Sequence, residues 1–349
     1  MHVVFSPDHA KHRPEMYFRA GGFVPHPEKP ERAEAIAAEL KRAGFAVEPP
    51  RDYGGAPRAA VHAPDYLGFL ESAHRRWTAM GAASREVVPN IHPGRHMTSL
   101  PKGLVGQVGW YTTDMSSPIG PATWEAAVAS ANVAVHAVER VLEGMAAGDA
   151  DAAYALCRPP GHHAFADMCG GFCFLNNIAI AAERAVRRGK RPAILDVDVH
   201  HGNGTQGIFY RRRDVLTVSL HCDPADFYPF FSGHVQERGE GEGRGANLNL
   251  PLARGTGDNA YLDALAEGLA TIRAFAPDIV FVALGLDGYE GDPFQGFRLT
   301  TGGFGRVARA IGELGLPTVL VQEGGYNCDD LGKNVRAFLE GFALGRVER

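Results

Sequence analysis

The sequence predicts an α/β protein built on an open, mostly parallel β-sheet flanked by helices on both faces, with its site at the carboxyl ends of the strands. Three observations predict it. From residue 120 onward, short β-branched runs alternate with longer amphipathic stretches, the pattern of strands joined by helical crossovers. The runs have strand length and are bounded by turn residues, as in sheets covered on both faces. Each run is followed within a few residues by Asp, Glu, His or Tyr, and in open sheets of this class the ligand crevice lies beyond the carboxyl ends of the strands.

The elements follow in chain order. The first 120 residues are the least regular: prolines at 14, 25, 27, 30, 49, 50 and 57, and a loop-like stretch from Ser84 to Ser117, read as decoration around one core, so residues 1–349 are expected to form a single domain. Helical patterns run from Thr123 to Met145, Asn177 to Arg188, Asn259 to Phe275, Phe304 to Leu314 and Leu331 to Phe342. Strands are expected at Ala153 to Leu156, Ala193 to Val197, Val215 to Leu220, Ile279 to Leu284 and Thr318 to Val321. At or beyond these ends lie Arg158, His162 and His163; Asp196, Asp198, His200 and His201; His221 and Asp223; Asp287; and Glu323 and Tyr326. Five strand ends should therefore converge on one crevice.

Composition narrows the function. Of 349 residues, 45% are apolar and 21% charged, the balance of a globular protein with a large core. A net charge of -5 supplies no footprint for nucleic acid, and the clusters Arg211, Arg212, Arg213 and Arg187, Arg188, Lys190, Arg191 read as solvated faces. The opening MHVVFSPDHAKHRP has no targeting pattern and no apolar run is long enough to cross a bilayer, so no membrane partner and a cytoplasmic location are expected. Five scattered cysteines suit reduced thiols, with Cys169 and Cys173 packed rather than metal-bound.

The stretch DVDVHHGNGTQ, from Asp196, carries the chemistry furthest. In a strand, residues two apart share a face, so Asp196, Asp198 and His200 would point together. Three polar groups there are costly unless compensated, and a divalent metal compensates them. With Asp287 arriving from another strand end, Asp198 and His200 complete a three-ligand set with one open position, the layout of a catalytic zinc site. Fe²⁺ and Co²⁺ suit the same donors.

The adjacent His162 and His163, in GHHAFADMCGGFCFLNN, would then act as base and acid in hydrolysis of an amide by metal-activated water. Asp196 is placed to orient one imidazole and Asn203 the other, while Tyr326 would donate to the developing oxyanion. Singly, each feature has a plainer explanation: a surface histidine pair, a turn aspartate, a tight turn at EGGY, buried packing for Phe172, Cys173 and Phe174. Together, at successive strand ends, they outweigh it. Two rivals remain, a metal-binding module without turnover and a dinucleotide site at GGFGRVA, from Gly302; the latter follows FRLTT, a poor strand.

HPEKPERAEAI from His26, RPPGHHA from Arg158, GGFCFLNNIAIAA from Gly170, DVDVHHGNGTQ from Asp196, SLH from Ser219, LDGYEGDP from Leu286 and EGGYN from Glu323 resemble the histone deacetylase and acetylpolyamine amidohydrolase superfamily. The resemblance implies Zn²⁺ on Asp198, His200 and Asp287, the acid/base pair His162 and His163, and Tyr326 as oxyanion donor. It implies a K⁺ held by Asp196, Asp198, His200, Ser219 and Leu220, mainly through backbone oxygens, and an acyl channel walled by Phe172 and Tyr228. Further likeness to bacterial acetylpolyamine amidohydrolases lies in MHVVFSPDH, GQVGWY from Gly106, TWEAA from Thr123 and CRPPGHHA. It implies a small acetylated amine as substrate and a homodimer formed through an insertion like 84–117, with acetyl-lysine in peptides as the alternative substrate. The sequence departs from that branch at Val105 and Ser116, and from the polyamine deacetylases of another branch at the gatekeeper position Phe294: where acids would meet a polyamine, all three are uncharged. Glu290, Asp292 and Asp114 are the carboxylates that would replace them.

Overall fold

The structure is a computed structural model that describes residues 1–81, 84–148 and 152–347. Its strands are β1 (His2–Phe5), β2 (Met16–Arg19), β3 (Gly22–Pro25), β4 (Val47–Glu48), β5 (Ala152–Leu156), β6 (Pro192–Asp196), β7 (Leu216–Cys222), β8 (Asn247–Leu252), β9 (Ile279–Leu284) and β10 (Thr318–Gln322). The helices are α1 (Glu31–Arg42), α2 (Ala56–Ala59), α3 (Pro64–Ala79), α4 (Leu104–Trp110), α5 (Thr123–Ala147), α6 (Asn177–Val186), α7 (Asn203–Phe209), α8 (Asp258–Phe275), α9 (Thr301–Gly312) and α10 (Cys328–Val347).

Among the described residues, eight strands form one sheet in the order β4-β1-β5-β10-β9-β6-β7-β8, and every neighbouring pair in it is parallel. The two-residue period of a strand sorts its side chains between two apolar layers. Val280, Val282 and Leu284 of β9 face Leu265, Val307 and Phe338 on α8, α9 and α10. Ile279, Phe281 and Ala283 of the same strand face Val138 and Ile178 on α5 and α6. Burial on both sides explains why the five central strands carry few polar residues until their carboxyl ends.

The open α/β sheet is the predicted class, but its edges were not foreseen. β1 and β4 come from the first 120 residues, so that region supplies two strands of the sheet itself as well as α1. Their four and two residues are too short for periodicity to register. β8 alternates Asn with Leu, and Asn247 and Asn249 stay buried because both donate to Gln206 Oε1 at 2.9 Å. The stretch 84–117 is not all loop: α4 packs through Val108 against α3, and the Tyr111 that follows it stacks on Phe69 at 4.7 Å. GGFGRVA falls inside the first turns of α9 with no strand before it, and a Cβ on Gly303 would lie 2.0 Å from Asp258 Oδ1. That glycine serves helix packing rather than a phosphate. No described helix is long and apolar enough to cross a membrane.

Candidate active site

The strands β5, β10, β9 and β6 are consecutive in the sheet, so their carboxyl ends open on the same crevice. β6 ends at Asp196, and the chain then turns instead of extending. Asp196 Oδ1 accepts from the Asp198 N–H at 3.1 Å and Asp198 Oδ1 accepts from the His200 N–H at 2.9 Å, a pair of side-chain-capped turns. The three residues thus meet through turns, not through a shared strand face as their spacing suggested.

Asp287 arrives three residues after β9. His200 Nδ1 lies 3.1 Å from Asp198 Oδ1 and 3.0 Å from Asp287 Oδ2, and one potential ligand atom from each residue lies within 4.8 Å of the others. The remaining oxygens are tethered: the Gly324 N–H donates to Asp198 Oδ2 at 2.8 Å and the Val199 N–H to Asp287 Oδ1 at 3.0 Å. A Cβ on Gly324 would stand 2.2 Å from Asp287 Oδ2, so only glycine admits this approach.

Two fully buried carboxylates cannot both be charged cheaply without a cation. Burial and then the neighbouring Asp198 push the Asp287 pKa up. Burial opposes ionisation of Asp198 as well, but His162 and His200 outweigh it and hold its pKa low. Two carboxylate oxygens and an imidazole nitrogen converging in a buried crevice are the donor set of a divalent transition metal, and the residues fit one.

The paired histidines stand beside this triad with ring centres 4.0 Å apart. His162 Nδ1 donates to Asp196 Oδ2 at 3.0 Å and His163 Nδ1 to Asn203 Oδ1 at 2.7 Å. Different partners split their proton affinities. Burial would lower the His162 pKa, but Asp198 and Asp196 outweigh it and raise it to about 10. Burial, with the charges of His162 and His200, drives His163 well below its usual 6.5. Two adjacent imidazoles of opposite protonation preference are an acid/base arrangement, and a cation at the triad would offset part of the carboxylate field on His162.

Tyr326 faces them from the turn after β10. Its ring centre is 4.9 Å from Phe294 and 5.7 Å from Phe172, and burial keeps its hydroxyl protonated far above neutral pH. Strand-end reasoning picks out Arg158 and Glu323 among the residues around this turn, but not Arg32 and Glu28. Arg32 lies with its guanidinium carbon 4.6 Å from the Tyr326 ring centre and donates to the carbonyls of Glu323, at 2.7 Å, and Gly325. Glu28 pairs with both Arg32, at 3.0 Å, and Arg158, at 2.7 Å. Glu323 Oε2 accepts from the N–H groups of Gly161 and His162 at 2.6 and 3.1 Å, and burial pushes its pKa up to about 7. The signal for the first two was HPEKPERAEAI, which lies far from any predicted strand end.

Some expected contributors lie elsewhere. The end of β7 brings no side chain to the triad: His221 Nδ1 is 2.8 Å from Ser219 Oγ and its Nε2 2.8 Å from the Gly233 carbonyl, while Asp223 Oδ1 accepts from the Ala225 N–H. Ser219 itself is the register partner of Asp196, which sets Ser219 and Leu220 alongside the turn that carries Asp198 and His200. Asp292 is buried, accepting from the Phe294 and Tyr326 N–H groups at 2.9 and 2.8 Å, so it shapes the turn and is not a rim carboxylate. Glu290 is exposed outside the channel lining, and Val105 is exposed on α4.

Comparison with known proteins shows the family. The model of the histone deacetylase domain matches residues 26–342. The chain belongs to the histone deacetylase family. It is 47% identical over 347 residues to the acetylpolyamine amidohydrolase of Burkholderia pseudomallei, covering 99% of this chain and 100% of that one. It is 42% identical to that of Mycoplana ramosa, covering 98% and 100%. The crystal structure of the Burkholderia pseudomallei acetylpolyamine aminohydrolase superposes with a TM-score of 0.93 over 99% of both chains. The HD domain of HDA15, 29% identical, superposes with a TM-score of 0.80 over 97% of this chain and 87% of that one. This histone deacetylase family member is a deacetylase, and its fold is that of its structural neighbours.

The deacetylase's crevice opens through a cavity of about 390 Å³ whose lining includes Phe172, Tyr228 and Phe294 together with His163, His200 and Tyr326. Phe172 takes φ 71°, a left-handed backbone that a non-glycine residue adopts only when its surroundings enforce it. A Cβ on the preceding Gly171 would stand 2.3 Å from His163 Cδ2. Gly171 therefore lets the cavity wall close directly onto the imidazole.

Proposed function

We propose that the protein is a zinc-dependent amidohydrolase that removes acetyl groups from N-acetylated amines, acetylpolyamines or similar small acetylamides foremost. The observation that carries the reading is the His162–His163 pair, 4.0 Å apart, beside the Asp198, His200, Asp287 triad. Zn²⁺ on that triad, with Fe²⁺ or Co²⁺ as alternatives, would supply Lewis acidity to the acetyl carbonyl and acidify water. His163, held neutral, accepts the proton of the attacking water; His162, held by Asp196, carries the proton delivered to the leaving amine. Tyr326 donates its hydroxyl to the oxygen on which negative charge develops, from a position that Arg32 and Asp292 hold. Phe172, Tyr228 and Phe294 exclude water around the acyl chain.

The names of the relatives support small acetylated polyamines, and acetyl-lysine in peptides remains the second reading because the same side chains serve it. A K⁺ held through Asp196, Asp198, His200, Ser219 and Leu220 belongs to the reading, with the register of β6 against β7 in its support. So does a homodimer through residues 84–117, where Ile91, Met97 and Leu100 are exposed apolar side chains. The test is kcat/KM of the metal-loaded protein on N-acetylputrescine and on an acetyl-lysine peptide. Faster hydrolysis of the small amine supports the first reading, and a strong preference for the peptide puts the second in its place.

A further inference from the structure

Two guanidiniums stand at the channel mouth. Arg19 ends β2 at a tight turn in which Ala20 and Gly21 have φ 49° and 86°, the backbone that a two-residue hairpin turn requires. Its guanidinium carbon lies 5.2 Å from the centre of the Phe294 ring, which is itself 5.2 Å from the His200 ring. Arg254 repeats the relationship through another ring, 5.4 Å from that of Phe227, which stacks 5.1 Å from His200. Each cation is thus one aromatic ring away from the triad, a separation commensurate with the carbon chain of an acetylated diamine or lysine. Both arginines line the cavity, and among the described residues neither guanidinium has a carboxylate or hydrogen-bond partner.

Carboxylates share the same mouth. Asp226 lines it and is exposed. Asp114 sits between the walls: its Oδ2 accepts from the Tyr228 hydroxyl at 2.5 Å and the Gly171 N–H at 3.1 Å, its Oδ1 from the Ser116 N–H and hydroxyl at 2.8 and 2.5 Å. All these donors are neutral, so its charge is oriented without being cancelled. A tail bearing ammonium alone would find Asp114 and Asp226 but also two like charges lining the same cavity. A tail bearing an ammonium and a carboxylate on one carbon complements both signs.

We propose that the mouth is a subsite for the amino acid end of an N-acetylated diamino acid, with Arg19 and Arg254 taking its carboxylate and Asp114 its ammonium. The inference rests on the deacetylase reading above and names the substrate class within it. Free Nε-acetyl-lysine and N-acetylcadaverine differ only in the carboxylate on the carbon that bears the ammonium, so the ratio of their kcat/KM values isolates it. In the metal-loaded protein the ratio should favour acetyl-lysine by about fivefold, the scale of an exposed ion pair with bidentate geometry. It should fall to about one in the Arg19→Gln, Arg254→Gln double variant, and Asp114→Asn should slow both substrates while leaving the ratio standing. Product inhibition reads the same preference in the unaltered protein, where lysine should compete more strongly than cadaverine. A ratio at or below one, or a ratio that the double variant does not move, overturns the subsite while acetylcadaverine turnover still upholds the deacetylase reading. Absence of hydrolysis of any acetylamide would remove both.

Discussion

The guanidinium carbon of Arg32 lies 4.6 Å from the centre of the Tyr326 ring, although the two residues are separated by most of the chain. The same guanidinium holds the carbonyls of Glu323 and Gly325 on the turn that presents Tyr326. Glu28, fully buried, depends on Arg32 and Arg158 for its compensation, which together outweigh burial and hold its pKa down at about 2. Arg32→Ala should therefore destabilise the fold by about 3 kcal/mol, the cost of leaving a buried charge half-paired. It should also lower kcat more than it raises KM, because the oxyanion donor loses its position. Urea unfolding with parallel kinetics checks both, and an unchanged midpoint would contradict the clamp.

Tyr326→Phe removes a single oxygen and leaves the Arg32 stacking and the Asp292 bond to the backbone. Metal content and melting temperature should stay as they are, while kcat falls by about a hundredfold or more, the usual loss for one oxyanion donor. A variant that retains full turnover would take the donor role away from this hydroxyl.

Asp287→Ala should abolish tight metal binding, because the triad keeps only Asp198 and His200. Elemental analysis after dialysis is the readout. Full stoichiometric loading would show that the triad is not the metal site.

Asn203→Asp places a carboxylate where His163 Nδ1 now donates to an amide oxygen at 2.7 Å. A nearby negative charge favours the imidazolium, so the low pKa of His163 should rise. The acid limb of the kcat/KM profile, where the base becomes protonated, should then move to higher pH by about one unit. A profile that stays in place would separate His163 from the base role.

Acid should unfold the protein early. Burial lowers His12 to about 3 and His62 and His221 to about 4, each from 6.5. Below pH 6.5 the unfolded chain takes up protons that the folded chain refuses, so stability falls as pH falls, until each folded pKa is reached. Each histidine contributes a slope of about 1.4 kcal/mol per pH unit across that window. His62→Asn should reduce the slope between pH 6.5 and 4 by one such contribution, measured from urea midpoints against pH.

Much of this molecule is legible along the chain. The five central strands and the helices between them follow from local periodicity, because each is buried on both faces and must be apolar along its length. The polar residues Asp196, Asp198, His200, Asp287 and Tyr326 stand out because they interrupt that rule at strand ends. What local pattern does not contain is the order β5-β10-β9-β6, set by backbone hydrogen bonds between segments distant in sequence. Only that order sets Tyr326 and Asp287 opposite the two histidines. The Arg32 clamp on the Tyr326 loop and the opposed charges of Arg19 and Asp114 belong to the tertiary structure for the same reason. Each depends on a contact between segments whose separate sequences carry no record of one another.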